Sequence, residues 1–295
     1  MTGFPRSPRW MFAISLAVCL STGCHLLNLA PSSPEKVEKP VVIAPPGKHS
    51  FRLSQYVFYS NFDLPRTQLL FQELADLREQ VYKELCLPNA NTIIQVYIFE
   101  DRSHYDQFMH ARYPNLPKRR AFFVAQPPTI GTVEDLLVYT YWGDRIREDL
   151  RHELTHALLH SVLRDVPLWL DEGLAEYFEV PPEAHGINPR HLEMLESSQD
   201  GPFKPDLAHL EDLNQVQQMT PTEYREAWAW VHLMLCDRAE GKAVLTAYLQ
   251  QLRANAVPGP LQPRLAEVYP HLDDTLNKHL AKLQASISAT PTVQR

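Results

Sequence analysis

No stretch of this sequence is strongly basic: 28 Lys plus Arg face 35 Asp plus Glu, a formal charge of −7. A nucleic-acid-binding groove is therefore not expected. Glycine is scarce, at 10 of 295 residues, and there is no internal repeat, which excludes a solenoid or an array. The first apolar run, Trp10 to Leu20, is only 11 residues long and is interrupted by Ser15. A membrane-spanning helix needs about 20 such residues, so this run does not read as an anchor. Cysteine is also sparse, with four in the chain. Cys86 and Cys236 are the two beyond the first 24 residues, and they are read equally well as one disulfide or as small apolar residues.

What is present is a globular composition: 44% hydrophobic, 21% charged and 10% aromatic residues. That excludes wholesale disorder, and the length suffices for one large domain or two small ones. Proline is abundant at 25, and seven prolines fall within the first 46 residues. Arg6 and Arg9 precede the short apolar run, the pattern of a signal peptide over residues 1–24. Thr22, Gly23 and Cys24 resemble a bacterial lipobox, although Ser21 stands where Leu is usual. Lipidation at Cys24 and an ordinary signal with an incidental cysteine both remain open. Either implies export, to the cell envelope or beyond it, with membrane contact only through the Cys24 lipid. Residues 25–50, rich in Pro, Ser, Lys and Glu, read as an extended tether.

Residues 51–285 carry the fold, and 286–295 read as a frayed tail. Alternation predicts strands at Phe51–Ser60, Thr92–Phe99, Ala121–Ala125 and Asp135–Tyr141. Three- and four-residue apolar spacing predicts helices at Pro65–Leu85, Ser103–Tyr113, Asp144–Leu163, Leu168–Val180, Tyr224–Arg238 and Lys242–Leu252. A sheet-bearing first half followed by a helical second half is an α+β layout.

The chemistry is concentrated in His152-Glu153-Leu154-Thr155-His156. Residues four apart on a helix share a face, so two imidazoles can converge on one tetrahedral Zn²⁺. Glu153, next in rotation, can reach a water on that metal. Glu172 follows in the string WLDEGLAEY, after a break at Asp165–Pro167 that lets a second helix return alongside the first. It is the candidate third ligand of a His₂Glu site. Glu176, one turn further, is placed to accept the free ring N–H of His152. His160 extends the histidine stripe, but three histidines over two turns are too far apart for one ion, so it reads as structural.

These residues resemble the gluzincin metallopeptidases, and most closely the zincin-like "peptidase MA-like" domains of bacterial envelope proteins. The resemblance is closest over residues 144–180 and extends to 51–100 and 222–240. It implies a zincin-like fold, zinc held by His152, His156 and Glu172, and Glu153 as general base on a peptide or protein substrate. It also implies that Tyr224, opening a C-terminal helix, donates to the oxyanion; a packing tyrosine is the equal alternative, and His232 is a second candidate donor. The G-x-M-E-N string of aminopeptidases is absent, which leaves endopeptidase activity as the expectation. Leu159 stands where metzincins carry Gly. The rival reading is a non-catalytic, zinc-containing envelope lipoprotein that binds a partner or surface polymer.

Overall fold

Ser54 adopts a left-handed backbone (φ 54°) and folds residues 49–60 into a hairpin. In the computed structural model, which describes residues 43–126, 135–196, 203–254 and 257–289, β1 (His49–Leu53) pairs antiparallel with β2 (Tyr56–Ser60). The single strand predicted over Phe51–Ser60 is thus two strands, and the ladder starts at His49, inside the predicted tether. The turn has no Gly or Asn, the usual hairpin signal, which is why periodicity alone did not place it. The readings of residues 1–24 and most of the tether fall outside the described residues.

Next come α1 (Leu69–Glu84), β3 (Ile94–Phe99), α2 (Arg102–Arg112), β4 (Phe122–Gln126) and β5 (Asp135–Tyr141). The five-stranded mixed sheet has the order β1-β2-β3-β5-β4, with β2-β3-β5 parallel and β4 antiparallel at one edge. Strand alternation sends Ile94, Val96, Ile98, Leu136 and Val138 into the main core with α1. Phe99, Tyr139 and Tyr141 point to the opposite face, where Tyr105 and Phe108 of α2 cover them. Tyr59, Tyr97 and Tyr139, paired in register, stack across that face at 5.0 and 5.2 Å.

The helical half comprises α3 (Ile146–His160), α4 (Leu168–Phe178), α5 (Pro189–Glu196), α6 (Leu207–Asp212), α7 (Pro221–Cys236), α8 (Ala239–Arg253), α9 (Gln262–Val268) and α10 (Leu272–Ala289). The architecture is therefore α+β, with an N-terminal mixed sheet and about ten helices. Sequence periodicity had not singled out α5, α6, α9 or α10. Residues 286–289, expected as tail, form the last turn of α10, while 290–295 lie outside the described residues. Leu280 anchors that helix in the core. Cys86 and Cys236 are both free and exposed, neither paired nor buried.

α3 packs against the sheet and α1, α4 packs on α3, and α7 packs on α4. Gly173 sets the last of these crossings. A Cβ there would lie 2.6 Å from the Ala227 carbonyl oxygen and 2.9 Å from Val231. Only glycine lets α7 come this near to the turn of α4 that carries Glu172.

Candidate metal centre

Leu150, Leu154, Ala157 and Leu158 bury one side of α3, and Glu148 and Asp149 in its first turn complement the helix dipole. The opposite side carries His152, His156 and His160. Asp165, at φ 52°, and Pro167 turn the chain so that α4 runs back along α3.

This reversal brings together the three residues expected from the sequence. His152 Nε2 lies 3.2 Å from His156 Nε2, and Glu172 Oε2 lies 3.4 Å and 3.5 Å from the two. Three ligands on a tetrahedral ion with bonds of about 2.0–2.1 Å stand about 3.3–3.4 Å apart. The triangle therefore fits such an ion. Glu172 is 4% exposed, and its Oε2 accepts no hydrogen bond among the described residues. An orphaned buried carboxylate oxygen facing two imidazole nitrogens is what a cation site requires. His152, His156 and Glu172 could thus hold a metal ion.

The electrostatics point the same way. Burial opposes charge on both imidazoles, but Glu172, with Glu179 at His152 and Asp171 at His156, outweighs it and raises both pKa values. Burial likewise opposes charge on Glu172, and the two histidines overcome it and hold its carboxyl well below the usual range. The same carboxylates that favour a proton on these imidazoles would favour a cation, so metal and protons would compete for the cluster.

The outer contacts differ from expectation. Glu176 lies within 4.8 Å of His152 but makes no hydrogen bond or ion pair with it; its Oε2 pairs with His191 Nε2 at 2.8 Å. The carboxylate within reach of His152 Nδ1 is Glu179, with Oε2 at 3.4 Å. Because α4 runs back towards the start of α3, the residue furthest along it falls beside the earlier histidine. Asp171 serves the other end, with Oδ2 at 3.1 Å from His156 Nδ1 and 3.0 Å from His160 Nε2. His160 is thus tied to Asp171 and outside the triangle.

Tyr224 does reach the site. Thr220 and Glu223 form a capping box at the start of α7, with Pro221 in its first turn, and this fixes the tyrosine that follows. Its hydroxyl donates to Glu172 Oε1 at 3.3 Å and accepts from Arg119 Nη2. Arg119 Nη1 lies 3.7 Å from the same Glu172 oxygen. Burial and the Glu172 carboxylate push the phenol upward, so it stays protonated and able to donate. His232, the other donor considered, is buried away from the site against His279, Nδ1 to Nε2 at 2.9 Å.

A cleft of about 380 Å³ opens onto His152, Glu153 and Tyr224. Glu153 is 8% exposed; burial raises its pKa, while His152 and His156 pull it back. Beside the histidines runs the edge strand β4, whose Phe123 ring stacks on His156 at 6.3 Å and lies 5.2 Å from His160. Arg119, Asp171 and Glu179 had not been singled out from the sequence.

The site elements are also where the chain is similar to a known family. A family described as "Protein of unknown function (DUF1570)" matches residues 147–257, a span that runs through α3, α4, α7 and α8 and leaves out the sheet. No curated protein matches the chain.

Proposed function

We propose that the chain is an exported, zinc-dependent metallopeptidase of the gluzincin type, acting as an endopeptidase from a zincin-like domain. The observation that carries this reading is the triangle of His152, His156 and Glu172, spaced for a tetrahedral ion. Zinc, when bound, polarises the scissile carbonyl and makes the attacking water acidic near neutral pH.

The chain's own residues supply the rest. Glu153 takes a proton from the attacking water at its carboxylate and delivers it to the leaving amine nitrogen. Its buried position keeps its basicity above that of an exposed glutamate. Tyr224 donates its hydroxyl proton towards the developing oxyanion, and Arg119, bonded to that hydroxyl, keeps it oriented. Asp171 and Glu179 lie 3.1 and 3.4 Å from the ring nitrogens of His156 and His152 that face away from the triangle, and their charge would favour the tautomer that leaves Nε2 free for the ion. β4 is a sheet edge beside the histidines, so an extended peptide can pair with its main chain. The N-terminal pattern adds an envelope location, with Cys24 as the lipid-bearing residue. No described helix is long and apolar enough to cross a membrane.

The test is hydrolysis of a peptide library by the zinc-loaded chain. Cleavage should disappear on chelation, return with zinc and be lost in Glu153→Gln. Stoichiometric zinc with no cleavage of any peptide would favour the non-catalytic envelope lipoprotein instead.

A further inference from the structure

Five arginines line the cleft that opens onto Glu153: Arg119, Arg120, Arg145, Arg190 and Arg225. They fall into two groups. Arg119 is engaged with Tyr224 and Glu172, and Arg120 with Asp149 and Asp144 at 3.0 and 3.1 Å. The other three have no carboxylate partner among the described residues. Arg145 makes no direct side-chain hydrogen bond there, although its charge acts on the nearby Asp149, and Arg190 is exposed and makes none. Arg225 reaches only the neutral Met194 Sδ and Thr222 Oγ1, and its Nε is buried with no acceptor.

The acidic residues of the same cleft are mostly committed elsewhere. Asp149 answers Arg120, Glu176 answers His191, and Glu179 accepts from Asn188 and faces His152. Glu153 is the proposed base, which leaves Glu148 as the unpaired carboxylate lining this wall. Five guanidinium groups and five carboxylates line the cleft, but three of the guanidinium groups, Arg145, Arg190 and Arg225, touch none of those carboxylates. Folding stability does not account for their positions. Arg145 precedes the first turn of α3 and Arg190 lies in the first turn of α5, where positive charge opposes the helix dipole. Charges that a helix disfavours, held unpaired at a cleft, point to a ligand that pairs them.

We infer that Arg145, Arg190 and Arg225 form a specificity subsite for a carboxylate of the substrate, so that the enzyme prefers peptides with an acidic residue near the scissile bond. A guanidinium presents paired N–H donors to a carboxylate in one plane, which adds geometric selection to charge attraction. The inference rests on the peptidase reading, and its test separates the two.

The probes are blocked decapeptides on one scaffold, each with a single Gln exchanged for Glu, with free and amidated C-terminal arms. They are assayed with the zinc-loaded full chain. The best Glu peptide should exceed its Gln twin about tenfold in kcat/KM, mainly through KM, and the gap should shrink in about 0.5 M salt. The ratio should fall towards unity in R145Q/R190Q/R225Q, with each single variant giving part of the loss should the triple variant fail to fold. A Glu preference kept in the amidated arm assigns the subsite to the side-chain carboxylate rather than to the C-terminus. Binding of the same peptides to Glu153→Gln, followed by fluorescence anisotropy, gives the ranking without turnover. Equal binding and equal cleavage of Glu and Gln twins overturns the subsite and leaves the peptidase reading intact. Glu-selective binding with no cleavage by the unsubstituted chain supports the subsite and sinks the peptidase reading. Neither binding nor cleavage overturns both.

Discussion

Glu172 joins two networks through its two oxygens. Oε2 completes the triangle with His152 and His156, while Oε1 accepts from Tyr224 and lies near Arg119. Tyr224→Phe keeps the ring in place and removes the donor. Its kcat should fall about a hundredfold with KM little changed, as expected for a donor used in the transition state. A fall in zinc content alongside kcat would instead make Tyr224 a support of Glu172. Glu153→Gln should retain zinc and lose turnover by about three orders of magnitude, checked by metal analysis beside the peptide assay. At this scale the local pattern of the sequence was informative, because His152, Glu153 and His156 share one helix and their spacing fixes their relation. It could place Glu172 on the right face, but it chose Glu176 for His152, where Glu179 is the carboxylate within reach. That choice depends on the offset between two helices, which no spacing within either one encodes. Arg119 enters from the segment before β4 and carries no local mark of its role.

At the scale of elements, the close crossing of α4 and α7 decides whether Tyr224 meets Glu172. Gly173→Ala puts a methyl group 2.6 Å from the Ala227 carbonyl oxygen, so α7 must shift. The expected cost is about 1–3 kcal/mol in urea unfolding, with activity lost beyond what stability explains. α7 also meets α10, where His232 is buried against His279, with Tyr177 beside it and Asp237 and Lys282 beyond. Burial and then His279 lower the His232 pKa to about 3, against about 6.5 in the unfolded chain. Between those values the unfolded chain binds a proton that the folded chain refuses. Stability should therefore fall as pH drops from about 6.5 towards 3, by up to about 1.4 kcal/mol per pH unit from this group. His232→Gln should flatten that slope in urea titrations across this range. The long periodic helices α1, α3, α4, α7 and α8 were legible from their apolar spacing, within a few residues at each end. The short helices α5, α6 and α9 were not, since six to eight residues hold too few turns to establish a period.

Across the described residues, the sheet provides a platform and an open edge, and the α3–α4–α7 layer carries the candidate site. The α+β order of the chain was readable because strand and helix periods change near Gly143. The candidate metal centre draws on both α3 and α4, so an ion held there should stabilise the folded domain as a whole. At free zinc about a hundred times the dissociation constant the gain is about 2.7 kcal/mol, visible as a rise in Tm that a chelator reverses. The most direct measurement is zinc titration of the chelator-stripped full chain and its variants. One zinc per chain should bind, with affinity lowered about a hundredfold or more by His152→Ala, His156→Ala and Glu172→Ala, and far less by His160→Ala. Substoichiometric binding, or binding indifferent to the Glu172 substitution, would contradict the metal centre described.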